Sequence, residues 1–154
     1  MSHRKLDVDH FDDEDAFIDE NETAHGNTAI NESAQLDVDT RANTVRDLLS
    51  RGDTASAVAA ALANPPAGRE VQSIKDKNTT TVMEALSAVK SADIFPIVKQ
   101  LDQAQVDVLV KYIYRGMASP ETFNSAVLLA WHEKATEVSG LGSIVRVMTD
   151  RRTV

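Results

Sequence analysis

Cysteine is absent from all 154 residues, so disulfides, thiolate metal sites and a cysteine nucleophile are excluded, and a reducing compartment is the natural setting. Aromatic residues make up only 5% of the chain and include a single tryptophan, which singles out Trp131 as the largest candidate for a core. No run of eighteen apolar residues occurs, so no membrane-spanning helix and no membrane partner are expected. The opening residues, MSHRKLDVDH, lack the apolar region of a secretory signal. These absences point to a soluble intracellular protein, and 154 residues suit one domain with a real core.

Positive charge is scarce at the front of the chain. Residues 1–40 carry twelve acids against only Arg4 and Lys5, a local net charge of −10, whereas the remaining residues sum to +2 out of a total of −8. The chain therefore reads as a nearly neutral body with an acidic arm. That arm would repel a phosphate backbone, and the body has no basic stripe with interleaved aromatics, so no nucleic-acid partner is expected.

The arm has too few apolar groups to offset its ordering entropy. Even so, Leu6, Val8, Phe11, Phe17 and Ile18 stand among the acids of RKLDVDHFDDEDAFIDE. An extended segment of this kind can lay apolar anchors along a partner while its carboxylates meet basic groups; a solvated solubility tail is the plainer alternative. From Asn21 to Ser33 the anchors disappear, and Gly26, Asn27 and Thr28 give the character of a spacer. The expected division is an extended strap and spacer over residues 1–38 and a helical core over 39–154.

Within the core, Asp39 or Thr40 can cap a helix carrying Val45, Leu48 and Leu49, with Gly52 as its stop. Asp53 or Thr54 can cap a second, alanine-rich helix presenting Ala55, Val58, Ala59 and Leu62, halted by Pro65 and Pro66. A tight antiparallel hairpin is expected between them. Val71, Ile74, Asn78, Val82, Ala85, Leu86 and Val89 keep helical spacing next, although Asn78, Thr79, Thr80 and Thr81 are weak helix formers and mark a place for a kink. Asp93 can cap a short helix with Pro96 in its first turn and Ile97, Val98 and Leu101 facing inward. Asp102 with Gln105 forms a capping-box pattern for a helix bearing Val106, Leu109, Val110 and Ile113, which Gly116 would end.

The longest patterned stretch is residues 119–154. Ser119 and Pro120 can start a helix running to Ser139, with Gly140 as a left-handed stop. Phe123, Val127, Trp131, Ala135 and Val138 then share a face, which marks this as the helix on which the core packs. A last run places Leu141, Ile144, Val145 and Met148 at helical spacing. So short a helix is marginal alone and has to dock on something. The sum is an all-α protein of about seven helices, a compact bundle or superhelix, with no strand pattern.

Chemistry is hard to find in this pattern. No two of His3, His10, His25 and His132 have metal-binding helical spacing, and His132 with Glu133 are helical neighbours that point apart, so His132 reads as a surface or partner-facing imidazole. The acidic run from Asp7 lacks the ligand spacing and glycine of a calcium loop. GLGSIV at Gly140 lacks the strand and lysine of a phosphate-binding loop. No cofactor, metal or catalytic constellation is indicated. A helical scaffold with an acidic arm, a repeat-type peptide binder and a small enzyme with a dispersed site all stay open; the lack of a fixed helical period and of recognisable chemistry disfavours the last two.

The blocks KYIYRG (residues 111–116), SAVLLAWHEKA (125–135) and GSIVRVMTDRRTV (142–154) are specific. With ALANPP at residues 61–66 and the acidic start, they resemble subunit 5 of the actin-related protein 2/3 complex, and the likeness runs in blocks along nearly the whole chain. The resemblance implies a non-enzymatic subunit of a seven-subunit assembly that nucleates branched actin filaments, located in the cytoplasm and actin cytoskeleton. It further implies a helical core docked on the propeller subunit 1 and the subunit 4 scaffold, and a strap, roughly residues 4–20, reaching the actin-related protein 2 subunit. Actin filaments would be met through the complex. On this reading Leu6, Val8, Phe11, Phe17 and Ile18 are the strap's partner contacts, and Tyr112, Tyr114, His132 and Arg146 are candidate contacts of the core.

Overall fold

A computed structural model of the chain describes residues 20–66 and 72–154, with side chains from residue 32 onward in the first of these. Among the described residues there are seven α-helices, one 3-10 turn and no strand, the all-α architecture expected. Residues 34–154 form one compact unit.

The first helix, α1, spans Glu20–Ser50. It begins well before Asp39, so the stretch from Asn21 to Ser33 is helical where a spacer was expected. Once a helix is nucleated, each further residue adds a hydrogen bond for one fixed residue, and weak formers such as Asn27 and Thr28 can be carried along. Inside the compact unit, α1 buries Val38, Ala42 and Val45. It ends in a Schellman motif: the Gly52 N–H donates to the Leu49 carbonyl at 3.0 Å and the Asp53 N–H to the Leu48 carbonyl at 3.0 Å. Gly52, at φ 80°, supplies the left-handed residue this motif needs.

Asp53 caps α2 (Thr54–Leu62) by accepting from the Ser56 N–H. Ala57, Val58, Ala61 and Leu62 are its buried residues. Ala57 and Ala61 thus stand in for Ala55 and Ala59, because a nearly all-alanine helix has no polar face to fix its rotation. The helix packs chiefly on α3 (Gln72–Ala88).

No break interrupts α3 at Asn78, Thr79, Thr80 and Thr81. The three threonine hydroxyls donate to the carbonyls of Lys75, Asp76 and Lys77, four residues back, which keeps these side chains within the helix instead of competing with it. Asn78 is fully buried and holds a polar network: it accepts from the Arg41 guanidinium at 2.7 Å and donates to the Tyr112 hydroxyl. Arg41 also donates to the Asn64 carbonyl at 2.8 Å, tying α1 to the end of the α2 turn.

A 3-10 turn at Ser91–Asp93 leads into α4 (Ile94–Gln100), and Asp93 stands at its N-cap without a capping side-chain bond. Asp102 and Gln105 do form the reciprocal capping box of α5, Gln103–Met117. This helix shares the centre of the core with the tryptophan helix. It buries Val106, Leu109, Val110, Tyr112 and Ile113 and packs against α2, α3 and the two helices that follow it. Gly116 lies within α5 and does not end it. A Cβ there would come within 2.7 Å of Met83 Cε and 2.8 Å of Leu128 Cδ1, so the glycine serves close packing.

Residues 119–123 are turn, and α6 covers Ser125–Ser139. The Ser119 carbonyl accepts from both Thr122 and Phe123, and Asn124 takes the cap by accepting from the Ala126 N–H. Asn is as good a cap as Ser, and here it stands next to the apolar run that follows. The buried face is Leu128, Trp131 and Ala135; Phe123 and Val127 are half-buried and Val138 is exposed. Gly140, at φ 70° and ψ −177°, occupies a region closed to other residues and turns the chain into α7, Leu141–Thr149.

Candidate interaction surface

A nine-residue helix cannot hold itself together, so its attachment has to be sought in its contacts. In α7 only Ser143 is buried. Of the expected apolar stripe, Leu141, Val145 and Met148 are 74%, 60% and 69% exposed and turned to solvent, while Ile144 is half-buried. Val147 is half-buried too and packed on the core, and polar bonds add to that attachment. Arg146 forks onto Asp107 of α5, Nε to Oδ2 at 2.8 Å and Nη2 to Oδ1 at 3.0 Å. The guanidinium holds the Asp107 carboxyl below the usual carboxylate range, against the opposing effect of burial, and the Arg146 value rises in turn. Immediately after the helix, Lys111 Nζ donates to Asp150 Oδ2 at 2.6 Å and to the Arg152 carbonyl at 2.9 Å.

The core residues expected at a partner surface have unlike fates. Tyr112 is inside the core with its hydroxyl on Asn78, so it has no surface to offer, and burial pushes its phenol up from the ordinary value. Tyr114 and His132 are brought together across α5 and α6: the Tyr114 hydroxyl lies 3.0 Å from His132 Nε2, with ring centroids 5.5 Å apart, and both are half-buried. Arg146 is at the surface but engaged with Asp107. Leu6, Val8, Phe11, Phe17 and Ile18 lie outside the described residues.

A family model of the ARP2/3 complex 16 kDa subunit (p16-Arc) matches residues 2–154. The chain belongs to that family. It is 43% identical to the human actin-related protein 2/3 complex subunit 5-like protein over 98% of this chain and 94% of that protein. The similarity to subunit 5-C of Xenopus laevis is 42%, over 98% of this chain and 93% of that protein. With subunit 5 of Saccharomyces cerevisiae the identity is 38%, over 98% of this chain and 97% of that protein. The family indicated by KYIYRG, SAVLLAWHEKA and GSIVRVMTDRRTV is thereby established.

Two features of this p16-Arc family member escaped the sequence. Leu141, Val145 and Met148 had the right spacing for a contact helix, but nothing in the spacing tells an inward stripe from an outward one. Leu129 on α6, 58% exposed, is a further large apolar side chain at the surface. The clamp residues Asp107 and Lys111 carried no signal, since their partners are 39 and more residues away in sequence.

Proposed function

We propose that this chain is a non-catalytic, structural subunit of the actin-related protein 2/3 complex, serving branched nucleation of actin filaments in the cytoplasmic actin cytoskeleton. Its helical core, residues 39–154, docks on the propeller subunit 1 and the subunit 4 scaffold. Within the N-terminal segment, residues 1–38, the strap of roughly residues 4–20 tethers the actin-related protein 2 subunit through Leu6, Val8, Phe11, Phe17 and Ile18. Actin filaments are met through the assembly as a whole.

The observation that supports docking is the outward stripe of α7. Leu141, Val145 and Met148 lie at i, i+4 and i+7 and are exposed together, whereas a helix of an isolated domain turns such a stripe inward. Clustered exposed apolar side chains mark interaction sites more often than free surface. Family membership supports other subunits of that complex as the partners, since the matching relatives are named as its subunits. Tyr114 and His132, half-buried on the neighbouring α5 and α6, are candidate flanking contacts.

The test is reconstitution of the complex with the triple variant L141S/V145S/M148S. These side chains add little to the fold, so the variant should melt as the parent does while failing to enter the complex. Full incorporation of a folded variant would remove α7 from the docking surface.

A further inference from the structure

The chain after α7 does not leave the surface of the core. Val154 is only 6% exposed and joins the main hydrophobic cluster. From Asp150 to Val154 the chain has no regular structure and is held at separate points on α5 and α3. Lys111 grips Asp150 and the Arg152 carbonyl. From α3, Lys75 Nζ donates to both the carbonyl and the hydroxyl of Thr153 at 2.9 Å. Lys75 is 3% exposed, and both its hydrogen bonds end on neutral oxygens of this one residue. Among the described residues no carboxylate pairs with this buried ammonium, which depends strongly on those oxygens.

Among the described residues there is open space beside the segment. Cavities of about 400 Å³ and about 670 Å³ flank the segment, and both are bordered by Lys111, Val147, Asp150, Arg152, Thr153 and Val154. Among the described residues the segment is held by Lys111, Lys75 and the burial of Val154, with space beside it. It can lift without dismantling α3 or α5.

We infer that residues 150–154 are a latch for α7. Val154 in the core and the two lysine grips, from Lys75 and Lys111, fix the end of the helix, while Arg146 on Asp107 fixes its middle. Together they set its rotation so that Leu141, Val145 and Met148 stay outward. With so few apolar contacts of its own, α7 opens with the latch as one unit, ahead of the helices beneath it. The use made of that outward face rests on the docking proposed above; the latch itself does not.

Hydrogen exchange on the full-length chain tests this. In the parent, α7 amides are protected, though less than those of α5. In Val154→Asp, which puts a charge into the core end of the latch, α7 exchange should rise tenfold or more while α5 and α6 change little. Lys111→Met, a milder change at the surface grip, should move α7 in the same direction. Unprotected α7 amides in the parent, unchanged α7 exchange in both variants, or an equal rise in every helix would overturn the latch. The stripe variant L141S/V145S/M148S should leave α7 protection as in the parent. If it does and still enters the complex, docking through α7 fails and the latch stands; if it is excluded while both latch variants exchange normally, the reverse holds.

Discussion

The indole N–H of Trp131 donates to the carbonyl of Leu86 at 3.1 Å, a fully buried bond that ties the middle of α6 to the last turn of α3. Helix ends leave carbonyls without intrahelical partners, and here the one polar atom of the largest core side chain is directed at one of them. Trp131→Ala removes both the bond and the volume. It should destabilise the domain by about 3–5 kcal/mol. Trp131→Phe keeps much of the volume and should cost clearly less. Chemical denaturation of the full chain measures both, and equal losses would mean that the hydrogen bond, not the packing, dominates.

The polar network at Asn78 makes a second demand. Tyr112→Phe leaves the buried Asn78 amide without an acceptor, a loss of about 1–3 kcal/mol. Asn78→Leu removes the centre of the network and leaves both Arg41 and Tyr112 without it. The double variant should then cost distinctly less than the two single losses added, because they share one contact. Additive losses would show that Asn78 and Tyr112 contribute independently.

Gly116 tests packing against helix propensity. Alanine in its place would gain about 0.8–1 kcal/mol of propensity. Its methyl group, however, has to displace the flexible ends of Met83 and Leu128. Gly116→Ala should therefore change stability by less than about 1 kcal/mol, whereas Gly116→Leu, with no room to be made, should lose about 1–3 kcal/mol or more. Two thermal melts decide it, and a well-folded Gly116→Leu would show that the space is not needed.

These positions also show what the sequence could and could not reveal. Val82, Leu86, Val106, Leu109 and Ile113 announced themselves by spacing, and all are buried, since apolar periodicity follows directly from burial of one helix face. Asn78 fell on that same spacing and is buried with its polar partners. Element ends were less legible. Ser119 with Pro120 and the glycine at 116 had sound local signatures, yet Asn124 nearby was as good a cap and Gly116 was needed for space instead of a stop. The outward stripe of α7 was legible as an amphipathic pattern. Its direction was not, because the residues that set it, Asp107, Lys111 and Lys75, act from distant helices.

The clamps on α7 predict a pH dependence. Arg146 lowers the value of Asp107, and Lys111, followed by the Arg152 backbone N–H, lowers that of Asp150. Folded values below the unfolded one, about 3.9, mean that both carboxylates contribute fully above that pH and cease to do so as pH falls through their folded values. Asp107→Asn should thus lower the melting temperature at neutral pH, with the gap to the parent closing at pH below about 4. A gap that stayed constant with pH would show that Asp107 acts by packing, not by charge.

The proposed strap contains two forces that can be separated. Phe11→Ala with Phe17→Ala removes contact area and leaves the net charge unchanged, whereas Asn and Gln in place of Asp12, Asp13, Glu14 and Asp15 remove charge and leave the anchors. Aromatic side chains dominate binding free energy where they are desolvated, so the first change should raise the dissociation rate of the strap from the actin-related protein 2 subunit. Peripheral charge chiefly speeds encounter, so the second should slow association. Salt discriminates further: screening over about 8 Å near physiological ionic strength should slow association of the parent strap and scarcely affect the neutralised one. Stopped-flow binding of a labelled peptide of residues 1–31, at two salt concentrations, measures both rates. If both variants lost only association rate, and lost it in the same salt-sensitive way, the arm would be an electrostatic tail and Phe11 and Phe17 incidental to it.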